Sequence, residues 1–216
     1  PDAILLIMPS DHLIREQLQE LGVDGRIVLE PARRDTLAAI AAAAAVAHRD
    51  NPDAILLIMP SDHLITDVEA FAVSAEIAAN VARDGGIVTL GVKPTYPASG
   101  YGYIAPGAEG PDGSFRIARF LEKPSADAAA TLIAEGCLWN AGMFCFRAAA
   151  LLDEVKRLEP ATHAAVIAAV DEAEDDLGFM LLGPSFEKAR AISFDYAVME
   201  RTEASFVVPV AFSWSD

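Results

Sequence analysis

Short runs of β-branched and apolar residues alternate along this chain with longer helical stretches, and that order constrains its fold more than any other feature. Ala3–Met8, Arg26–Leu29, Ala54–Met59 and Ile87–Gly91 have the length and composition of strands. Between them, Ile14–Leu21 ends at Gly22 and Thr36–His48 reads as an alanine-rich helix. Val68–Arg83 follows a Thr66-x-x-Glu69 capping box and stops at Gly85-Gly86. Strand, helix, strand, helix is the order of βαβ units, so the prediction is an α/β fold with a mainly parallel, mixed sheet flanked by helices. In open sheets of this kind ligands sit beyond the carboxyl ends of the strands, which directs attention to the residues after Leu29, Met59 and Gly91. Further on, Phe115–Leu121, Met143–Phe146 and Ser205–Phe212 read as strands. Ala126–Glu135, capped by Ser125, with Ala148–Leu158 and Pro160–Glu174, read as helices, and Asp175–Pro184 as loop.

One segment occurs twice without change: PDAILLIMPSDHLI fills Pro1–Ile14 and again Pro52–Ile65. Ancient repeats drift and solenoids need more than two copies, so this is a recent, engineered or assembly-related duplication rather than a repeat architecture. A hydrophobic fraction of 53% over 216 residues supports a real core, with about 70% of the unfolded surface buried. Thirty-two acidic residues against sixteen basic ones leave a net charge of −16, which repels polyphosphate backbones and argues against nucleic acid as a partner. The longest apolar run, Leu37–Ala47, is mostly alanine and far short of the ~20 residues a bilayer span needs, so no membrane partner is expected. The amino terminus has no basic residue before its apolar stretch, unlike a secretory signal. Cys137 and Cys145 match neither a redox nor a zinc spacing, so buried free thiols in a reducing cytoplasm are expected.

Several strand ends carry chemistry. Asp62, in Met59-Pro60-Ser61-Asp62-His63, could hold a hard cation beside phosphates, although an aspartate there also suits a plain turn. Asp216, after Trp214-Ser215, is a second carboxylate, and two such groups could share one Mg²⁺. In Glu30-Pro31-Ala32-Arg33-Arg34-Asp35-Thr36, Glu30 could accept two N–H bonds from a guanine edge, while Asp35 or Thr36 could simply cap the next helix. Glu122-Lys123-Pro124 offers a carboxylate for sugar hydroxyls beside an ammonium for a phosphate, and a surface ion pair would look the same. Ser99-Gly100-Tyr101-Gly102-Tyr103 has the glycine spacing of a backbone that comes close to a ligand.

In this order EPxxRxT, MPSDH, SGYGYI, FLEKP, WNAGMFCF, SFDYAVMERT and FSWSD resemble the mannose-1-phosphate guanylyltransferases, in particular the bacterial type often fused to a phosphomannose isomerase domain. The resemblance runs from about Arg15 to Asp216. It implies a Rossmann-like nucleotide-diphospho-sugar transferase fold and a single nucleotidyltransferase domain over residues 1–216, truncated at both ends relative to the family. The implied reaction takes GTP and mannose 1-phosphate to GDP-mannose and pyrophosphate with Mg²⁺. Carried over by motif, Glu30, Arg34 and Thr36 resemble part of the nucleotide-binding wall, and Asp62 and Asp216 the metal carboxylates. Gly102, Glu122 and Asn140 are similar to the family's sugar contacts, and Lys123 to its phosphate contact. Lys123, Asp62 and Asp216 would then carry the catalysis, which needs positioning and charge neutralisation and no protein nucleophile. The cysteines, the four histidines and Asp195 keep structural roles. A homo-oligomer is compatible with the sequence.

The departures are as informative. The family opens with a strand and a glycine-rich loop that holds the triphosphate, whereas no segment here resembles GGxGTR, and Pro1–Ile14 stands where the family has its second strand. Asp35 replaces the asparagine of EPxxRNT. Two alternatives stay open at this point: a nucleotidyltransferase for another hexose 1-phosphate, and a catalytically silent module that keeps only the sugar site.

Overall fold

The computed structural model describes the backbone of residues 4–8, residues 20 and 22, and residues 25–215. The helix expected over Ile14–Leu21 falls outside these residues apart from Glu20, as does Asp11. The chain divides into two compact units, Pro1–Pro52 with Leu152–Ala197, and Asp53–Leu151 with Val198–Asp216.

In the first unit, β1 (Ile4–Met8), β2 (Gly25–Leu29), β10 (Phe179–Leu181) and β9 (Glu174–Asp176) lie side by side in that order. β2 runs parallel to both β1 and β10, while β9 and β10 form an antiparallel hairpin. That hairpin occupies part of the expected Asp175–Pro184 loop. Its two-residue turn has Leu177 at φ 52° and Gly178 at φ 80°, the doubly left-handed geometry that matches the twist of paired strands. Glu174, Asp175 and Asp176 are poor strand formers, which hid β9 from the pattern, and their charges sit on an outer strand where they discourage edge pairing. The helix α1 (Asp35–Asp50) is buried along Leu37, Ala38 and Ile40 to Val46, and packs on α5 (Pro160–Asp171). Alanine side chains cost little entropy to bury and let the two helices approach closely. The Arg49 guanidinium closes the contact by donating to the Val170 carbonyl at 2.8 Å and to Asp171.

The second unit is built on six strands in the order β3 (Ile55–Ile58), β8 (Leu138–Arg147), β5 (Ile87–Val92), β11 (Ser205–Pro209), β7 (Phe115–Leu121) and β6 (Tyr103–Glu109). The α/β class with a mixed sheet is as the sequence implies. Its balance leans antiparallel rather than parallel, because the ten-residue β8 runs antiparallel to β3, β5 and β6, and only β5 and β11 are parallel in this sheet. The helix α2 (Val68–Arg83) covers it, with Ala78, Val81 and Ala82 packed among Val88, Leu90, Met143, Cys145, Phe206 and Val208. A small ladder pairs β4 (Leu64–Ile65) with β12 (Trp214–Ser215), setting Ser215 opposite Leu64. The helices α3 (Ala126–Ala134) and α4 (Ala148–Leu158) follow β7 and β8, and Ser125 caps α3 through the Ala128 N–H.

Strand β8 is longer than the expected Met143–Phe146. Thr89 pairs with Phe144 and Gly91 with Asn140, so residues 141–143 lie opposite Leu90 alone. Gly142 takes φ 65° inside this bulge, a conformation open to glycine at little cost. Asn140 and Gly142, both poor strand formers, interrupt the apolar run, which is why Leu138–Gly142 does not read as a strand.

The start of α2 also differs from the sequence reading. The cap is Asp67, whose Oδ1 accepts from the Ala70 N–H at 3.0 Å, and not Thr66. Glu69 then falls one position too early to reach back as a capping box requires. Replacing Asp67 by Ala should lower the unfolding free energy by about 1 kcal/mol, and Thr66→Ala should stay within about 0.5 kcal/mol. Urea unfolding of the two variants checks this, and a larger loss at Thr66 would restore the capping box.

Candidate functional site

Three expected site residues belong to the first unit. Glu30 follows β2 and is half-buried, and desolvation raises its carboxyl above the ordinary value. The Arg34 guanidinium is tied to the chain, with Nε donating to the Glu187 carbonyl at 2.9 Å. Asp35 sits at φ 60° and its Oδ1 accepts from the Thr36 N–H at 2.7 Å. Asn and Asp are the non-glycine residues that tolerate this left-handed conformation best, so the aspartate here preserves the backbone that asparagine would give. The Thr36 hydroxyl accepts from the Phe194 N–H at 2.9 Å, and the Leu37 N–H donates to the Ile192 carbonyl. The Thr36 side chain therefore bonds across to the segment of SFDYAVMERT and does not cap α1.

The second unit brings four others together. The Asn140 N–H donates to the Gly102 carbonyl at 2.8 Å, which locks SGYGYI to WNAGMF. The Glu122 carboxyl lies over Gly102 so closely that a Cβ there would stand 2.5 Å from Oε2 and 3.2 Å from the Asn140 Cβ. Gly102 is thus needed for the approach of a carboxylate from the chain itself. The Glu122 side chain is only 9% exposed while that of Lys123 is 60% exposed, its Nζ 3.5 Å from Glu122 Oε1. Lys123 adopts φ 47°, and the Glu122 N–H donates to Glu200 Oε1 at 3.2 Å, which fixes this turn after β7 from the MERT motif. Sequence reasoning did not single out Glu200. An unusual residue in a left-handed turn was the signal available, and it is invisible without coordinates.

Behind these groups lies a polar contact inside the sheet. Thr89 is fully buried, and its hydroxyl is 2.7 Å from Asn140 Oδ1 and 3.1 Å from the Met143 carbonyl. The Gly142 N–H donates to the same Oδ1 at 3.3 Å. Threonine in the run Ile87–Val92 reads as an ordinary strand former, so nothing in the sequence marked it.

Asp62 is exposed on the turn after β3. Its neighbour His63 accepts at Nδ1 from the Trp214 indole N–H at 3.1 Å, with the two rings edge to face. Tyr101 stands 5.1 Å from Trp139 and 5.2 Å from Trp214, centroid to centroid, and Tyr96 5.0 Å from Trp139. Rings from PSDH, SGYGYI, WNAGMF and FSWSD thus interlock, each edge-to-face pair adding about 0.5–1.5 kcal/mol to its buried area. Asp216 lies outside the described residues. Among the described residues no group of three or more His, Cys, Asp or Glu is arranged to hold a metal ion. Cys137 and Cys145 are buried free thiols, and burial pushes that of Cys145 up to about 12, consistent with structural roles. No helix among the described residues is long and apolar enough to cross a membrane.

Comparison with known proteins places the chain. The model of the nucleotidyl transferase family matches residues 2–216. The chain is 45% identical over 208 residues to a mannose-1-phosphate guanylyltransferase of Sinorhizobium fredii, covering 94% of this chain and 41% of that protein. It is 42% identical over 219 residues to the xanthan biosynthesis protein XanB of Xanthomonas campestris pv. campestris, covering 99% and 46%. The chain therefore spans less than half the length of these relatives. A solved structure described as mannose-6-phosphate isomerase from Helicobacter pylori superposes with a TM-score of 0.87 at 29% identity, over 100% of this chain and 85% of that one.

Glu30 gives a prediction with a definite sign. Its carboxyl is raised from 4.5 by desolvation, so ionising it costs more in the folded than in the unfolded chain. That cost is absent below the unfolded value and grows as pH rises through the folded one. Glu30→Gln, which never ionises, should gain stability relative to the parent as pH rises above 4.5. Chemical unfolding of both proteins at each pH measures it, and a difference that falls as pH rises would contradict the desolvated carboxylate.

Proposed function

We infer that this chain, which belongs to the nucleotidyl transferase family, transfers GMP from GTP to mannose 1-phosphate, giving GDP-mannose and pyrophosphate. The observation that carries the reading is the Glu122 carboxyl set over Gly102 beside Asn140, with the exposed Lys123 ammonium next to it. Carboxylate and amide suit vicinal sugar hydroxyls, and the ammonium suits the phosphate that follows them. A phosphate oxygen of the sugar attacks the α-phosphorus of GTP, the bond from that phosphorus to the bridging oxygen breaks in line, and pyrophosphate leaves with the electron pair. Lys123 offsets charge on the attacking phosphate and holds it in line. In the first unit, Glu30 accepts from the N–H groups of a guanine edge, a task that its ionised form performs. Arg34 and Thr36, whose side chains are bonded to the chain, shape the wall around the base rather than reach for it. Asp62, with Asp216 as second ligand, suits a hard cation that keeps much of its water, and Mg²⁺ held there would neutralise phosphate charge.

Calorimetry with GDP-mannose, UDP-glucose and dTDP-glucose tests the choice of nucleotide, and the first should bind most tightly. Tighter binding of either of the others would overturn the guanine assignment and favour the relative acting on another hexose 1-phosphate. Turnover is a separate matter, because no segment of the 216 residues resembles GGxGTR. Two missing transition-state donors at about 3 kcal/mol each would slow the reaction by about four orders of magnitude. A coupled pyrophosphate-release assay of this chain against a version carrying the glycine-rich segment measures the difference. Ordinary turnover by the chain alone, about 1–10³ s⁻¹, would show that the segment is dispensable.

A further inference from the structure

We propose that Glu200 is a positioning residue for Lys123: it holds the turn after β7 in the left-handed conformation that presents the Lys123 ammonium to the phosphate of a sugar phosphate. The proposal rests on the reading of Lys123 as the phosphate contact.

Local chemistry works against this turn. Lys123 has φ 47°, the left-handed region that a residue with a Cβ enters only at a cost. Pro124 follows it, and the residue before a proline is driven toward extended backbone instead. Left to local preference, Glu122-Lys123-Pro124 would straighten, so a contact from elsewhere in the fold has to hold it bent. The ladder between β6 and β7 ends at Tyr103 and Leu121, which leaves the Glu122 N–H beyond the last paired residue. A backbone N–H can only donate and a carboxylate oxygen can only accept, so the 3.2 Å contact from the Glu122 N–H to Glu200 Oε1 has one reading. It is a charge-assisted bond at the residue directly before the strained one, and such bonds are of the size that a single left-handed residue costs. Glu200 is itself firmly placed. The Arg201 and Thr202 N–H groups both donate to the Val198 carbonyl, at 2.9 and 2.8 Å, and Val198 and Met199 are buried. The carboxylate thus reaches the turn from a base anchored in the core.

The consequence lies at Lys123. Its side chain is 60% exposed, and its partner among the described residues, Glu122 Oε1 at 3.5 Å, is beyond ordinary hydrogen-bond length. The ammonium N–H bonds are therefore able to serve phosphate oxygens. The lysine stem is flexible, so the direction of the Cα–Cβ bond decides which volume the ammonium can search. Moving Lys123 from the left-handed to the extended region redirects that bond, and the Glu200 carboxylate is what resists the move. Glu200 acts here by geometry and not by charge. Its negative field opposes a phosphate, so its charge alone would weaken the ligand that its hydrogen bond places.

The test uses calorimetry of the full chain with mannose 1-phosphate, comparing the parent with Lys123→Ala, Glu200→Ala, Glu200→Asp, Glu200→Gln and the double variant Lys123→Ala/Glu200→Ala. Lys123→Ala should weaken binding at least about tenfold. Glu200→Ala should weaken it about fivefold, and Glu200→Asp, which keeps the charge but not the reach, should do the same. Glu200→Gln, which keeps the reach and an acceptor oxygen without the charge, should bind within about twofold of the parent. Because Glu200 acts through Lys123, the double variant should bind no more weakly than Lys123→Ala alone. Tighter binding by Glu200→Ala and Glu200→Gln alike would show that only the field of Glu200 matters, and overturns the proposal. Parental binding by Glu200→Ala beside a loss at Lys123→Ala also overturns it and leaves the phosphate contact standing. Losses that multiply in the double variant do the same, since they are the mark of a merely structural glutamate. No loss at Lys123→Ala removes the contact itself and the proposal with it. Should Glu200→Ala fail to fold, the other two variants decide, and any result in which Glu200→Asp does not bind more weakly than Glu200→Gln refutes positioning by reach.

Discussion

The insertion in β8 is the constraint on which the second unit depends. A ten-residue strand that ladders with β3, β5 and β6 would, if regular, alternate its side chains strictly between two faces. Three residues opposed by Leu90 alone add two to the strand. Trp139, Ala141, Met143 and Cys145 nevertheless stay together in one core cluster, so the strand takes up the insertion without turning over. A left-handed Gly142 makes this possible and supplies one of the N–H groups that hold Asn140. The strand is thus buried along both halves, with Trp139 and Asn140 nearly as enclosed as Phe144 and Phe146.

Around that strand the motifs of the second unit, far apart in the chain, prove to be parts of one arrangement. Glu122 over Gly102, Glu200 under the Glu122 backbone and the Trp214–His63 bond each join one motif to another. Exposed ion pairs elsewhere, such as Arg119 with Glu135, are worth little by comparison, since both side chains are half open to water. What orders the site is the burial of groups with specific partners: a 9% exposed carboxylate, a fully buried threonine and a set of rings packed edge to face.

Much of this was legible in the residues themselves. Long periodic or uniformly apolar segments declared themselves: α2 spans Val68–Arg83 as read, and β5, buried at every position, lies where the run of β-branched residues put it. Glu122, Lys123 and Gly102 could be chosen from motif chemistry and Asn140 from the family resemblance, and they do meet. The failures share a cause. β9 is made of acidic residues, the first half of β8 is broken by Asn and Gly, and β6 begins within a glycine-rich stretch, so tertiary pairing overrode local preference in each. Thr89 and Glu200 were missed because their roles are relational. A hydroxyl in a strand and a carboxylate at the end of a helical turn acquire meaning only from what lies opposite. The duplicated segment makes the same point: ILLI pairs parallel to β2 in its first copy and antiparallel to β8 in its second, one sequence with two partners.

The aromatic cluster has a spectroscopic consequence. The chain contains two tryptophans, and their ring centroids lie 6.4 Å apart within the second unit, one directly before Asn140 and the other bonded to His63. Indole absorption and emission of the whole chain therefore originate in a single pair of coupled chromophores. A change at the Asn140 end of β8 or at the His63 imidazole is written into that signal without any label, and events confined to the first unit, which holds no indole, pass unrecorded.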